Sequence, residues 1–362
     1  MHSKSILFIT PYPQGQAPSQ RFRFEQYLPI LKKNNHQFKI SPFLTKKAWD
    51  TLYKDGKIIS KLYYFFQGFV TRLIDIVRTP YYDFIFIHRE ATPVGPPFFE
   101  WIISKILRKK IIYDFDDAIW LEDPDEKGSI KSMVKWKSKV SSICRWSYKV
   151  STGNEYLAKY AANFCTNVII NPTTIDTEHL HNPDITVNPK NDENLVIGWT
   201  GTHSTLQYLN PLVPIIAELE EIFDFNFIII SNKAPSFKLK SLKFIPWNKN
   251  TEIKDLQRFD IGVMPLTNDL WSQGKCGFKA LQYMALGIPA IASPVGVNSL
   301  IIDDNENGFL CHTREEWKKN IETLIINKDK RKLFGRSARK KVENFYSVSS
   351  NSDNFLSLFS LE

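Results

Sequence analysis

Lys275, Lys279 and Gln282 recur at a helical spacing near the end of the chain. At about 100° per residue, their side chains fall within about 60° of each other on one helix face. The positive end of the helix macrodipole disfavours cations in the first turn. An anion held between the helix N-terminus and the lysines removes that cost. The spacing therefore favours an anion-binding helix, with a solvated amphipathic helix carrying surface lysines as the alternative.

The residues after this helix predict a corner of helix, strand and turn. Gly287 is placed to end the helix, and residues 290–293 form a short apolar run typical of a buried strand. A tight turn follows, in which a glycine lets the backbone approach a ligand closely. We therefore expect the turn to contribute backbone to the same site, through Val295, Gly296 and Val297.

A second anion-binding pattern begins the C-terminal half of the chain. An apolar strand over residues 195–201 leads into a loop with one glycine and several hydroxyl residues, and we predict a helix from residue 202 to about residue 221. Backbone amides and hydroxyls in such a loop suit a phosphate. The loop lacks the Gly-Lys-Ser ending of a Walker motif and the Gly-x-Gly-x-x-Gly pattern of dinucleotide-binding enzymes. We predict that it binds through Thr200, Gly201, Thr202 and Thr205.

In the N-terminal half, polar side chains stand where apolar strands end. His88 and Arg89 follow the strand 83–87, and Asp114, Asp116 and Asp117 end the strand 110–117. Carboxylates at strand ends are well placed for chemistry. We predict catalytic roles for His88, Asp116 and Asp117 and acceptor or phosphate binding for Arg89 and Asp114. Binding of sugar or acceptor hydroxyls is favoured over a turn role and over a metal site, although oxygen ligands suit Mg²⁺.

The loop over residues 11–18 lies between the first strand and a helix that we predict from Ser19 to Leu31. A loop in this position opens at the carboxyl edge of a parallel sheet, where ligands bind. We expect Gly15 to contact the donor and Arg21 to contact the acceptor or a phosphate. Arg21 and Arg23 would lie in the first helical turn, and pairing with carboxylates is the alternative to anion binding.

The stretch from Lys275 to Pro289 resembles the donor-site helix of GT-B glycosyltransferases of family 4. The family's ending is present as Met284, Ala285, Gly287 and Pro289, and its mid-helix glycine is Gly277. Gly274 and Gln282 stand where the family usually has two glutamates. The segments 19–23 and 171–176 also resemble this family, and the similarity runs in order along nearly the whole chain.

This resemblance implies an α/β fold of two Rossmann-like domains facing each other across a cleft, with the last helix crossing back to the first domain. It implies transfer of a sugar from a nucleoside-diphosphate sugar to a glycan or lipid-linked acceptor, with retention, in surface-polysaccharide assembly. Lys275 and Lys279 would stabilise the departing diphosphate, Gln282 would hold the ribose, and Gly277 and Trp247 would contact the donor. No cofactor and no metal are expected.

Composition and charge fit a two-domain globular protein of 362 residues with 43% hydrophobic residues. We predict an N-terminal domain over 1–178, a linker over 179–194, a donor domain over 195–345 and a crossover helix over 346–362. The four cysteines show no paired or metal-ligand spacing, so we expect free thiols. The opening residues lack the apolar run of a signal peptide, which predicts a cytoplasmic protein.

The net charge of +9 falls entirely in residues 1–180, because basic and acidic residues balance in the remainder. This asymmetry predicts an anionic partner for the first half. The segments 63–78 and 131–149 are aromatic and basic, and each is either a helix at an anionic inner membrane surface or an ordinary outer helix packed on the sheet. We expect peripheral membrane contact through 131–149, where Lys135, Lys137 and Lys139 flank an apolar face.

Two other functions fit parts of the sequence. A nucleotide-sugar 2-epimerase of the same fold would interconvert free nucleotide sugars. A two-domain binding protein would grip nucleic acid through its basic half, but carboxylates are interleaved with the bases and no nucleic-acid motif appears. Sugar transfer is the main prediction, and no nucleic acid is expected.

Overall fold

The computed structural model describes residues 3–52, 56–121, 136–185 and 194–361. The chain divides into two compact units, the first formed by Met1–Thr173 with Asn351–Glu362 and the second by Thr174–Ser350. The first unit thus contains the end of the chain. The sequence-based domain bounds stay a prediction, and residues 186–193 of the predicted linker lie outside the described residues.

The first unit is built on a six-stranded parallel sheet in the order β2-β1-β3-β4-β5-β6. Its strands are β1 (Ser5–Thr10), β2 (Gln37–Pro42), β3 (Phe84–His88), β4 (Lys110–Phe115), β5 (Lys149–Thr152) and β6 (Val168–Ile170). The central strands are nearly continuous apolar runs, as expected for a parallel sheet covered on both faces. Their register sets His88 beside Asp114 and Asp114 beside Ser151. Parallel pairing therefore brings the predicted polar strand ends to one edge.

Helices cover this sheet on both sides. They are α1 (Pro18–Arg21), α2 (Leu28–Lys33), α3 (Lys46–Leu52), α4 (Ile58–Arg78), α5 (Phe98–Trp101), α6 (Lys139–Trp146), α7 (Glu155–Ala162) and, at the end of the chain, α15 (Ser352–Ser357). Short 3₁₀ segments span Glu25–Tyr27 and Thr79–Tyr81, and Ile102–Ile106 forms a π-helical turn. Helix α15 packs into the first unit, where Phe355 stacks on Tyr27 with ring centroids 4.3 Å apart.

The second unit repeats the architecture with the strand order β12-β11-β10-β7-β8-β9. Its strands are β7 (Leu195–Thr200), β8 (Phe225–Ser231), β9 (Leu242–Pro246), β10 (Ile261–Met264), β11 (Ala290–Ala292) and β12 (Gly308–Leu310). Its helices are α8 (Val213–Leu219), α9 (Glu252–Leu256), α10 (Leu270–Gln273), α11 (Phe278–Ala285), α12 (Asn298–Ile301), α13 (Arg314–Ile326) and α14 (Lys328–Phe345), with a 3₁₀ segment over His203–Leu209. The predicted fold class, two Rossmann-like α/β domains, is confirmed.

Two predicted helices are wrong in their bounds, for the same reason. The predicted helix from Ser19 to Leu31 is divided into α1, a 3₁₀ turn and α2, and the predicted helix from residue 202 to 221 is divided into a 3₁₀ segment and α8. Proline lies in the first turn of both α2 and α8. Because proline has no amide hydrogen to give and clashes with the preceding turn, it starts a new helix rather than continuing one.

None of the helices in the described ranges is both long and apolar enough to cross a bilayer. All four cysteines are free thiols. Of the predicted basic helix over 131–149, residues 131–135 lie outside the described residues, and the described helix there is α6. Lys139 is buried, and its ammonium group lies 2.6 Å from a carboxylate oxygen of Glu90. This lysine therefore stabilises the first unit internally and is not a surface charge.

Helix α4 has an unusual buried side, which carries a charged pair. Arg72 donates to the Asp75 carboxylate at 2.8 Å, to the carbonyl of Thr10 at 2.7 Å and to the carbonyl of Ala91 at 2.7 Å. The Asp75 carboxylate also accepts from the Ser41 hydroxyl at 2.7 Å. Burial raises the pKa of Asp75, while Arg72 and Ser41 act to lower it. The pair ties α4 to the loops that follow β1 and β3.

Replacing Arg72 with methionine tests the importance of this pair. The variant leaves the Asp75 carboxylate buried without its countercharge and removes the donor from three backbone carbonyls, those of Thr10, Ser41 and Ala91. We expect a loss of about 3–5 kcal/mol in the free energy of unfolding, measured by urea denaturation. Arg78→Met is the matched control, since Arg78 is exposed on the same helix and should change stability by no more than about 0.5 kcal/mol. Equal losses in the two variants would contradict this assignment.

Candidate functional site

The helix that carries the predicted anion site begins later than the sequence suggests. Gly277 is the N-cap residue of α11 at φ +67°, a left-handed conformation, so the helix starts at Phe278 and Lys275 precedes it. A Cβ atom on Gly277 would lie 2.1 Å from Cδ1 of Ile301. Both the backbone conformation and the contact with α12 therefore require glycine. Lys279 lies in the first turn, and the helix has no side-chain cap.

Both lysines lie over tryptophan rings. The ammonium nitrogen of Lys275 is 5.2 Å from the ring centroid of Trp271, and that of Lys279 is 5.6 Å from the ring centroid of Trp199. Such cation–π contacts are favourable and leave the charge in place. Trp199 is fully buried in β7, so its ring is a fixed support for Lys279.

The same tryptophan also supports the glycine loop after β7. A Cβ atom on Gly201 would lie 2.4 Å from the Trp199 ring, so the loop backbone passes directly over the indole. The amide of Thr200 donates to the hydroxyl of Tyr283 in α11 at 3.0 Å. Burial raises the pKa of Tyr283, which keeps this hydroxyl neutral. The structure therefore brings Lys279 and the predicted phosphate loop together around one indole.

Within that loop, the hydroxyl groups are oriented by local hydrogen bonds. The Thr205 hydroxyl donates to the Thr202 carbonyl at 3.0 Å, and the Thr202 hydroxyl lies 2.9 Å from that of Ser204. The amide of His203 donates to Oδ1 of Asn232 at 2.7 Å. Sequence reasoning missed Asn232, although its position directly after β8 marks it as another polar strand end.

In the turn after β11, the close approach that glycine allows is to another segment of the chain. Gly296 has φ +58°, and a Cβ atom there would lie 3.0 Å from the carbonyl oxygen of Gln273. Val295 is buried, and Cγ2 of Val297 lies 3.2 Å from the position of a Cβ on Gly277. The turn thus packs against the segment that carries Lys275. This contact explains the glycine without a ligand, and it holds the predicted elements together.

Gln282 lies deeper than predicted. Its side chain is 5% exposed, and its amide nitrogen is 3.3 Å from Nε2 of His181. Arg339 binds the backbone around this pair, donating to the carbonyls of His181, Thr177 and Ala285. The glutamine therefore takes part in internal packing, and no pattern in the sequence pointed to His181 or Arg339.

Trp247 follows the edge strand β9. Its amide donates to the carbonyl of Ser231 at 2.9 Å, and its side chain is partly exposed. Strand β8 separates β9 from β7, so Trp247 shares the carboxyl edge of the sheet with Thr200 but lies two strands away.

A cavity of about 500 Å³ lies within the second unit. Val295 and Ser293 line it together with Pro265, Tyr208 and Trp317. Its volume is in the range of small-molecule sites. Of the residues predicted from the sequence, it includes Val295 alone, so it adjoins the lysine-bearing elements rather than containing them.

In the first unit, Asp114 lies at the centre of a buried network. Its carboxylate accepts from Nη2 of Arg23 at 2.5 Å and from the Ser151 hydroxyl at 2.6 Å, and it lies 2.8 Å from Nδ1 of His88. Arg23 also donates to the carbonyl of Asn171. Burial alone would raise the pKa of Asp114, but Arg23 and His88 lower it well below its ordinary value. Asp114 therefore holds strand ends together and does not offer its carboxylate at the surface.

His88 is likewise fully buried, and the described residues give its Nε2 no hydrogen-bond partner. A general base must come within hydrogen-bond reach of the proton that it removes. In this structure the ring lies beneath the surface, packed near Phe24 with ring centroids 5.8 Å apart.

Arg89 forms a separate, mostly buried cluster with the two remaining aspartates. It donates to Asp116 at 2.7 and 2.9 Å and to Asp117 at 3.2 Å. Burial lowers the pKa of Arg89, but the two carboxylates raise it above its ordinary value. Arg89 also has φ +60°, a strained conformation for a residue with a side chain. Within the described residues, no three His, Cys, Asp or Glu side chains come together as a metal site.

The two predicted residues near the first loop are positioned by that loop. Arg21 is the last residue of the short α1 rather than lying in a first turn, and its guanidinium lies 5.0 Å from the ring centroid of Phe22. The amide of Gly15 donates to the Glu25 carboxylate at 2.8 Å. Burial raises the pKa of Glu25, although this hydrogen bond and another from Gln20 act to lower it.

Asp114→Asn should lower the free energy of unfolding by about 3–5 kcal/mol at neutral pH, because Arg23 would remain buried without its countercharge. The pKa of Asp114 is lower in the folded state, so its stabilisation is present above about pH 4, the unfolded value, and is lost as the pH falls through the folded value. The stability difference between wild type and variant should therefore shrink on acidification from pH 7 towards pH 3, as followed by urea unfolding. Asp50→Asn is the control, since its pair with Lys46 is exposed and contributes about 1 kcal/mol or less.

Comparisons with known proteins agree with this architecture. Residues 230–341 match the family of glycosyl transferases group 1. A stretch of 79 residues is 29% identical to spore coat protein SA of Bacillus subtilis (strain 168), and this match spans 21% of each protein. The matched part is thus about a fifth of that relative's length.

Solved structures are similar over the whole chain. Sucrose-phosphate synthase from Thermosynechococcus elongatus superposes with a TM-score of 0.69 at 12% identity, covering 98% of both chains. A glycosyltransferase from Rickettsia africae ESF-5 gives a TM-score of 0.68 at 13% identity, covering 99% of this chain and 98% of the other. HepE of Anabaena, solved with UDP-glucose, gives 0.64 at 14% identity, covering 99% and 100%. The chain therefore shares the GT-B fold of these structures, and residues 230–341 of its second unit match the glycosyl transferases group 1 family.

Proposed function

We propose that the protein transfers a sugar from a nucleoside-diphosphate sugar to a glycan or lipid-linked acceptor, with retention, in the assembly of cell-surface polysaccharide. The observation that carries this proposal is the arrangement around Trp199. Lys279 and Gly201 both contact the Trp199 ring, so the lysine and the loop with its amides and hydroxyls are tied to one side chain near the carboxyl edge of the second sheet. Such a place suits a diphosphate.

The chemistry in this proposal is charge stabilisation. The bond between the anomeric carbon and the diphosphate oxygen breaks, and negative charge grows on the departing nucleoside diphosphate. A new bond forms from the acceptor hydroxyl oxygen to the same carbon, and the hydroxyl proton passes to the departing diphosphate. Lys275 and Lys279, fixed over their tryptophans, stabilise the growing charge without having to reorganise.

The remaining donor contacts follow from position. Thr202 and Thr205 offer hydroxyls to the phosphates, and the Val295–Val297 turn and Gly277 shape the backbone beside them. Trp247, on the same sheet edge, is proposed to flank the base. Gln282 is buried against His181, so its proposed role is to support α11 from below and not to contact the ribose.

In the first unit, we propose that Arg89, Asp116 and Asp117 bind acceptor hydroxyls, because this cluster is polar and keeps part of its surface accessible. Gly15 lies in the loop after β1 and Arg21 ends α1, and both are proposed to border the same site. His88 and Asp114 are buried, so their proposed role is to position the ends of β3 and β4 and not to contact substrate.

The first test is thermal unfolding with UDP, UDP-glucose and other nucleoside diphosphates and nucleotide sugars. HepE was solved with UDP-glucose, which makes uridine nucleotides the natural starting point. At about 100-fold excess over Kd, a ligand adds about 2.7 kcal/mol of stability, so we expect the Tm to rise by several degrees. If no nucleotide in the panel raises the Tm, the proposal fails. A bound nucleotide sugar that is epimerised without any acceptor would instead indicate a 2-epimerase.

Lys275→Ala and Lys279→Ala should each lower transfer by about 10²-fold or more, because each removes a charge fixed near the departing diphosphate. Transfer is measured as release of nucleoside diphosphate in the presence of acceptor. Lys319→Ala, an exposed lysine on α13, is the matched control and should keep full activity. Unchanged turnover in the first two variants would remove these lysines from the site.

A further inference from the structure

Helix α4 leaves a continuous apolar surface uncovered. We define the apolar face of α4 as eight residues that are all exposed, among them Ile59 at 84%, Phe66 at 68% and Val77 at 73%. The full set is Ile59, Leu62, Tyr63, Phe66, Val70, Leu73, Ile74 and Val77. At about 100° per residue these side chains fall in one sector about 120° wide. An apolar patch of this continuity marks a binding surface, whereas single exposed apolar residues are ordinary.

An ordinary outer helix buries its apolar face, whereas α4 exposes this one. Its buried side carries the Arg72–Asp75 pair, and Gly68, where a Cβ atom would lie 2.6 Å from the Phe43 ring. The buried charges are satisfied by each other and by backbone carbonyls. In the part of the chain that the structure describes, the buried side of α4 thus meets its polar partners within the first unit, and the apolar face remains exposed.

Charges around this face are mainly positive. Lys57 stands at one end of the helix and Arg78 at the other, and both are exposed. The adjoining α3 exposes Lys46 and Lys47, and the exposed acid there, Asp50, is paired with Lys46 at 3.2 Å. Two copies of this face would bring like charges together, whereas an anionic surface complements them.

Length and composition also match an interfacial helix. Twenty-one residues extend for about 30 Å along the helix axis. Tyr63 and Phe66 lie on the face, and Tyr81, just beyond its end, is 81% exposed. Aromatic and aliphatic side chains with flanking lysines are typical of helices that lie in the headgroup region of a bilayer.

We propose that the apolar face of α4 docks on the surface of an anionic lipid bilayer, with the helix lying in the membrane plane. This proposal deepens the proposed function, on which it rests for the lipid-linked acceptor that such docking would reach. It moves the expected membrane contact from residues 131–149 to α4. In the described part of that earlier segment Lys139 is buried against Glu90, and α6 buries Val140 and Ile143.

Vesicle flotation of the full chain tests the proposal. We expect binding to vesicles of phosphatidylcholine with phosphatidylglycerol at low salt and little binding to phosphatidylcholine alone. The triple variant Leu62→Gln, Phe66→Gln, Leu73→Gln should reduce partitioning by about 10²-fold or more, because it removes the apolar contact that anchors the helix together with the flanking charge. The variant Lys57→Glu, Arg78→Glu should weaken the preference for the anionic lipid.

A matched control removes the same kind of side chain elsewhere. Ile222, Leu300 and Leu333 of the second unit are 65%, 60% and 58% exposed, and their joint replacement by glutamine should leave flotation unchanged. All variants change exposed residues, so each should keep the wild-type Tm, which confirms folding. Flotation of the α4 variant at the wild-type level, or equal loss in the control, overturns the proposal.

Two further outcomes separate this proposal from others. If the wild type does not bind anionic vesicles but sediments as a dimer that the α4 variant dissociates, the face joins two copies and the membrane proposal is wrong. The α4 variant should keep its nucleotide-induced rise in Tm and its transfer to a water-soluble acceptor. If no variant binds a nucleotide but flotation still depends on α4, the proposed function is refuted and the membrane-docking proposal stands.

Discussion

Charged groups buried at the strand ends of the first unit must be paired, and this constraint shapes the unit. A buried charge without a partner costs several kcal/mol, so each one fixes the position of another. Asp114 gathers Arg23, His88 and Ser151, which come from the first loop, β3 and β5. Arg72 does the same for the ends of β1 and β3. The partly accessible Arg89 cluster follows the same strand ends.

The second unit instead shows close contact between glycine backbone and aromatic rings. Gly198 packs on Phe259, Gly201 on Trp199 and Gly262 on Tyr283, each at a distance that leaves no room for a Cβ atom. Of these contacts, that of Gly201 lies at the carboxyl edge, and the same Trp199 ring also carries Lys279. The contrast between paired charges in one unit and ring-supported lysines in the other agrees with different ligands for the two units.

Helix α4 shows how this use of buried charge leaves an unusual surface. Because the inner side of the helix satisfies Arg72 and Asp75, its apolar residues face outward. Exposing these apolar side chains to water costs free energy, and contact with a bilayer would recover it. The positive charge of the first half, which the sequence alone attributed to another segment, then has a surface on which to act.

The sequence by itself determined the two series of strands, their polar ends and the family resemblance of the Lys275–Pro289 stretch. These features depend on local composition: apolar runs of strand length, glycine and proline punctuation, and side-chain identity. The sequence could not determine where helices start when Pro29, Pro214 or Gly277 interrupts the helical spacing of apolar residues. That spacing does not show at which residue the backbone enters or leaves the helix. Only the tertiary structure decided that Asp114 and Gln282 are buried, that Lys279 and Gly201 share Trp199, and that α4 faces outward with its apolar side. Each of these depends on partners distant in the chain, and a pattern of residue types carries no information about which distant side chain completes a pair.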